Sequence, residues 1–395
     1  VFIDANSGGG TVTLGENVSI LSLTLTGFTG TLNWVTYKIS LLGTASQVFT
    51  GATTYTVAGT PLIDLAANAT ISTRTVVSAS ITEANSISFK VSAGSDTVAI
   101  SNRLRDIDFT GFSGTLTNGS RTLYGSLTLS STMTLTAGAN ATNFRGSTGA
   151  FTVMSNGKTM DFPLNFDSGV GTYSLADNLS IGATRAFTFT SGTLNANGYN
   201  VFCGTFATAA GTAKTINLGG GTWSVSGASW DASIDAVDVT VTGTGTISMT
   251  SASAKTFAGG GKTYGTLNQG GAGALTITGA NTFANITNTV QPATITFPAS
   301  TTTTANAFGV SGTIGNQITL NSSAAGTQAT LSDVSGVVSV SFCTIQDINA
   351  TGGATWSSFT SNGNVDGGNN VGWDFLAQAF RYIYTRRKNK VIFQS

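Results

Sequence analysis

Asp106 and Asp108 stand two residues apart in the stretch Arg103-Leu-Arg-Asp-Ile-Asp108. On an extended strand both carboxylates point to one face. Paired carboxylates run glycoside hydrolysis, one as general acid and the other as base or nucleophile. Arg103 and Arg105 alternate on the opposite face, however, and charge on both faces suits a solvated edge better than a cleft. The densest acidic group is Asp231, Asp235 and Asp238. It could offer oxygens to a glycan or a cation, with a solvated corner as the competing reading. The loop from Asn362 to Asn370 places Asn362, Asn364, Asp366 and Gly367 where a calcium-binding EF-hand loop has its first ligands and its turn. Trp373 stands where that loop needs its bidentate Glu, so a Gly/Asn turn is expected and no metal.

Other chemistries drop out on residue type. The chain has no histidine, which removes Ser-His-Asp and Cys-His machinery and Cys/His zinc sites. Cys203 and Cys343 have apolar and hydroxyl neighbours and are expected as buried free thiols rather than a disulfide. The glycine clusters at 7–10, 219–221 and 259–261 lack the Gly-x4-Gly-Lys-Ser/Thr spacing of a phosphate loop. Trp34, Trp223, Trp230, Trp356 and Trp373 could stack on sugar rings, but core packing is the stronger expectation. The chain is therefore expected not to be an enzyme and to hold no cofactor.

The elements that carry these residues announce themselves by repetition. "GFTGTLNW" (27–34) returns as "GFSGTLTN" (111–118), and Gly-Thr-apolar recurs at Gly192, Gly204, Gly221, Gly245, Gly265 and Gly312. Asn-Gly steps end at Gly119, Gly157 and Gly198. Asn-Gly accepts positive φ, so these three glycines are expected at tight corners. The run after Asn197-Gly198 alternates, with Tyr199, Val201 and Cys203 on one face; Val237, Val239 and Val241 alternate likewise. Period-two runs between Gly and Asn corners argue short strands. Charged residues make up only 9% of the chain, with 50 Gly and 4 Pro. That balance opposes disorder, and no run of 18 apolar residues suggests a membrane helix. The first residues show no signal-peptide pattern.

These features predict an all-β chain, a β-solenoid in the form of a right-handed parallel β-helix; a string of small β-sandwiches is the alternative. The expected divisions are an N-terminal block 1–110, central coils 111–290, a C-terminal block 291–374 and a distinct tail 375–395. The tail gathers Arg381, Arg386, Arg387, Lys388 and Lys390 with no acid, together with Phe380, Tyr382 and Ile383. It is expected to be an assembly element meeting an acidic surface. Asp374 could cap a short helix carrying Leu376, Phe380 and Ile383, or Tyr382 and Tyr384 could lie on a strand. A membrane contact is a weaker expectation, and nucleic acid is not expected.

The stretches "NGKTMDFPLNF" (156–166), "SGTLNANGYNVFCGTF" (191–206), "KTFAGGGKTYGTL" (255–267), "SSAAGTQATLS" (322–332), "IQDINATGGATW" (345–356) and "GNNVGWDF" (368–375) resemble repeat-rich structural proteins of tailed bacteriophages. Related repeats occur in bacterial surface proteins. The resemblance covers roughly residues 10–375 and carries no catalytic motif across. It implies a β-helical virion appendage (tail fibre, tailspike or head fibre) at the virion surface, commonly a homotrimer. The implied partners are further copies of the chain, other virion proteins and a host cell-surface glycan or protein. A secreted bacterial adhesin and a tailspike-like polysaccharide depolymerase are the alternatives.

Overall fold

The computed structural model describes residues 5–25, 27–44, 47–48, 56–69, 73–78, 82–376, 381–384 and 391–394. Strands run from two residues (Ile107–Asp108) to twelve (Leu164–Leu175), and the only helices among the described residues are four single turns of 3-10 helix. Strands pair in parallel with a strand one coil later, the arrangement of a β-solenoid. One coil is 18 residues between Ser88 and Asp106, 22 between Asn178 and Asn200, and 25 between Thr31 and Thr56. Chain contacts divide the protein into two compact units, Val1–Ile247 and Ser248–Ser395. The sequence divisions at 110 and 290 instead cut through continuous ladders: Ile107 pairs with Leu127, and Leu275 with Ile295.

In the first unit each coil contributes short strands whose alternate side chains enter the core. Phe144, Phe166, Phe187, Phe206 and Trp230 pack ring against ring in a row, with centroids 4.5, 5.2, 5.8 and 4.0 Å apart, stacked at every step but the tilted Phe187–Phe206 pair. All five are fully buried. Burying each contributes about 1.5–3 kcal/mol, and no coil can do this without its neighbours. The second unit builds the same way from aliphatic rungs, Leu275–Ile295–Leu320–Ile345 along one sheet. A second sheet pairs Leu331 with Ala350, and a third stacks Val338, Trp356 and Trp373, giving a three-sided coil.

The twin octapeptides are equivalent devices. Gly27 and Gly111 have φ of 76° and 98°, and each is followed by a fully buried Phe28 or Phe112. Gly30 and Gly114 then sit against the preceding coil; an added Cβ would lie 2.1 Å from the Gly10 carbonyl oxygen or 2.0 Å from that of Asp96. Any side chain there would push two coils apart.

The Asn-Gly corners divide. Asn156-Gly157 (φ 49° and 75°) and Asn197-Gly198 (52° and 82°) make left-handed corners, as the spacing predicts. They lie two coils apart, and Asp177-Asn178 turns the corner between them without the Asn-Gly word. Gly119 departs from expectation: it has neither positive φ nor a turn. Its neighbour Asn118 instead uses its amide across coils, accepting from the Asn140 N–H and donating to the Asn140 carbonyl, both at 3.0 Å.

In the tail, strands Arg381–Tyr384 and Val391–Gln394 pair as an antiparallel hairpin, the strand alternative rather than the helix. Asp374 Oδ1 accepts the Leu376 N–H at 3.0 Å, and residues 377–380, which the expected helix would include, lie outside the described residues. Phe380, Arg386 and Arg387 lie outside the described residues, and Arg381, Tyr382 and Ile383 are described by backbone alone.

Candidate functional site

The Asp106/Asp108 pair lies on the outer face of one sheet, where every rung is a separate coil. Behind it the inner rungs Ile39, Ile63, Phe89, Ile107, Leu127 and Val153 stack in register. The outer rungs at the next position are Asp64, Lys90 and Asp108, charges of alternating sign on successive coils. Lys90 Nζ meets Asp108 at 3.2 Å, and Lys38 Nζ meets Asp64 at 2.9 Å. Burial alone would raise the Asp108 carboxyl, but the Thr110 hydroxyl and amide and the Lys90 ammonium outweigh it and hold it below its ordinary value. Asp106 accepts the Ser88 hydroxyl at 2.6 Å and the Ser126 N–H at 2.7 Å, one from the coil before and one from the coil after. Both aspartates fasten neighbouring coils, Asp106 through Ser88 and Ser126 and Asp108 through Lys90. Arg103 is exposed, and Arg105 lies 3.8 Å from Asp106.

Two grooves cross the coils of the first unit at their corners. The larger, about 450 Å³, crosses Asn17, Lys38, Thr60, Ser88 and Asp106, with Tyr37 and Arg105 on its walls. The smaller, about 270 Å³, runs over Lys158, Asn178, Asn200 and Thr222, with Ser180, Phe202 and Ser224 alongside. Its polar wall is a ladder: Asn178 Oδ1 accepts the Asn200 N–H at 2.9 Å, and Asn200 Oδ1 accepts the Thr222 N–H at 2.8 Å. Using the Oδ1 atoms this way leaves the two Nδ2 donors without a partner among the described residues. Amides, hydroxyls, an ammonium and a half-exposed aromatic face suit a polyhydroxylated ligand. Among the described residues Asp106 is the one carboxylate lining either groove, and its oxygens are already engaged.

The remaining sequence candidates take structural places. Asp231 Oδ1 turns back onto the Ser233 N–H and hydroxyl, and Asp235, left-handed at φ 47°, accepts the Gly211 N–H at 2.8 Å. Asp238 ends a 3-10 turn and is half-buried. No group of three metal-binding side chains forms among the described residues. Asn364 is buried, donating to the Val340 and Phe359 carbonyls and accepting the Cys343 N–H, so the calcium-like loop is a corner. All five tryptophans are buried, and both cysteines are buried and free.

Three buried cations escaped the sequence reading. Arg121, Lys214 and Lys255 each begin a strand with the side chain buried. Lys255 Nζ donates to the carbonyls of Ser251 (3.0 Å), Gly271 (3.2 Å) and Gly273 (2.6 Å), one for each ammonium proton. Arg121 donates to the carbonyls of Thr117 and Ile100 and lies 5.6 Å from the Phe162 ring centre. Burial pulls Lys255 down to about 8 and Arg121 to about 10. The word Lys/Arg-Thr-apolar at these three positions does not by itself mark burial, since Lys158 and Lys262 carry it half-exposed. Comparison of the chain with protein-family models, curated proteins and solved structures found no match.

Proposed function

We propose that this chain is a structural subunit of a bacteriophage virion appendage that adheres to a glycan on the host surface. The observation that carries the adhesive part is the pair of grooves crossing successive coils. A groove that repeats its polar groups about every 4.8 Å, the spacing of neighbouring strands, suits a ligand that is itself a repeating chain. Its mechanism is binding by amide and hydroxyl hydrogen bonds and one aromatic face, without proton transfer. The structural part rests on the stacked coils and on the sequence resemblance to phage repeat proteins. Within a virion the subunit would act as a homo-oligomer at the particle surface, with the 375–395 tail meeting another copy or another virion protein.

Binding of the fluorescently labelled protein to bacterial cells, and to surface polysaccharide purified from them, tests the reading. Retention on the polysaccharide with no shortening of its chains is the expected result. Loss of binding in an Asn178→Ala/Asn200→Ala variant of unchanged fold locates it in the smaller groove. Chain shortening would replace the adhesin with a depolymerase; no retention on any surface would remove the adhesive role.

A further inference from the structure

Four Asn-Gly steps occur in the chain, at Asn118, Asn156, Asn197 and Asn362. In each, the following glycine nitrogen is the least hindered nucleophile for the asparagine Cγ. Attack forms a C–N bond to Cγ, expels the side-chain nitrogen as ammonia and closes a succinimide. Water then opens that ring to aspartate or to isoaspartate, whose main chain carries one extra methylene. The reaction needs only water and asks that the side-chain amide be free to swing onto the glycine nitrogen.

The fold restrains three of the four. Asn118 is held at both ends by Asn140. Asn156 Nδ2 donates to the Leu129 carbonyl at 2.5 Å, and its Gly157 N–H is engaged by Ser155 Oγ and Asp177 Oδ2, both at 3.2 Å. Asn197 Nδ2 donates to the Leu175 carbonyl at 2.9 Å. Each of these amides is a fastener to another coil. Asn362 has no such role: its side chain is exposed, makes no hydrogen bond among the described residues, and ends the single 3-10 turn Thr360–Asn362. The Gly363 N–H bonds to the Thr360 carbonyl, at 3.1 Å within that exposed turn.

We propose that Asn362-Gly363 is the spontaneous deamidation site of the folded protein and that the other three Asn-Gly steps are protected by their cross-coil bonds. The site is placed where the lesion would be felt. The Asn362 carbonyl accepts the Phe342 N–H at 3.0 Å, and the Gly363 carbonyl accepts Gln317 Nε2 at 3.3 Å from two coils back. An inserted methylene shifts both carbonyls, so conversion loosens the final coil.

The test is incubation of the full chain at mildly alkaline pH and 37 °C, followed by peptide mass mapping and isoaspartyl methyltransferase labelling. Breaking one anchoring hydrogen bond first should slow reaction about tenfold. Asn362 is therefore expected to convert at least that much faster than Asn118, Asn156 or Asn197. The four rates should converge in denaturant, and Asn362→Gln should remain unlabelled. Equal rates at all four steps in the folded protein, or conversion at Asn156 or Asn197 ahead of Asn362, would overturn the assignment.

Discussion

Gly219 shows how much a single backbone position can carry. Its φ is 65°, and a Cβ there would lie 2.4 Å from the Gly198 nitrogen on the preceding coil. Gly198 also has positive φ (82°), but its Cβ would meet nothing closer than 4.0 Å. Gly119 lacks the left-handed φ, and its Cβ would meet the Ile100 carbonyl oxygen at 3.1 Å. Substitution by Ala is therefore expected to cost least at Gly119, about 1–2 kcal/mol at Gly198 through backbone strain, and most at Gly219, where a clash is added. Thermal melting of the three variants checks that order. The thiols give a second expectation. Burial pushes Cys203 up to about 12 and Cys343 up to about 11, against 9.0 when exposed. Their folded values are raised, so the stability they contribute is complete below about pH 9 and is lost as pH climbs toward 11 and 12. At pH 10.5 the loss for Cys203 is about 2 kcal/mol. Lys255 acts oppositely: its folded value is lowered, so it adds stability between about pH 8 and 10.5. Denaturant midpoints at pH 8 and 10.5, for wild type and Cys203→Ala, isolate the thiol; an identical pH dependence would refute it.

At the scale of elements, the last coils are tied by side chains that skip a coil. Gln317 Nε2 reaches the Gly363 carbonyl, and Gln328 Nε2 reaches the Asn369 carbonyl at 2.8 Å. A terminal coil has a neighbour on one side only, so it is the first place a solenoid opens. Removing both glutamine amides by substitution with Ala is expected to cost about 1 kcal/mol each, concentrated in residues 362–374. Hydrogen exchange should quicken there and stay unchanged around Phe166 and Trp230. The charge ladder along Asp64, Lys90 and Asp108 differs in kind. Lys90 and Asp108 are about a third exposed, so their ion pair is worth at most about 1 kcal/mol and mainly fixes register.

At the scale of the whole molecule, the proposed assembly role of the tail can be tested by truncation. A hairpin of two four-residue strands is marginal alone, and this one pairs only with itself among the described residues. Truncation after Leu376 keeps Asp374, whose carbonyl accepts the Ser358 N–H at 2.9 Å, and so leaves the last coil intact. The shortened chain is expected to fold with an unchanged β-rich spectrum and, on the proposed reading, not to form the homo-oligomer. Retention of the full-length oligomer in sedimentation would assign the tail another role.

Sequence alone determined what depends on near neighbours. Alternation with period two marked the strands, because successive side chains point to opposite faces of any strand. Gly and Asn marked the left-handed corners at 157 and 198, because only φ preference was at issue there. The flanks of Cys203 and Cys343 sufficed to bury them. Coil length was not legible, since coils of 18 and 25 residues carry the same words, and coil length decides which residues meet one coil away. Only the tertiary structure could therefore show that Asp106 fastens Ser88 to Ser126, or that Lys158, Asn178, Asn200 and Thr222 line one groove. It also decided that Asn118 would spend its amide on Asn140 instead of on a corner. Such contacts depend on register summed over every preceding coil, and a local pattern does not carry that sum.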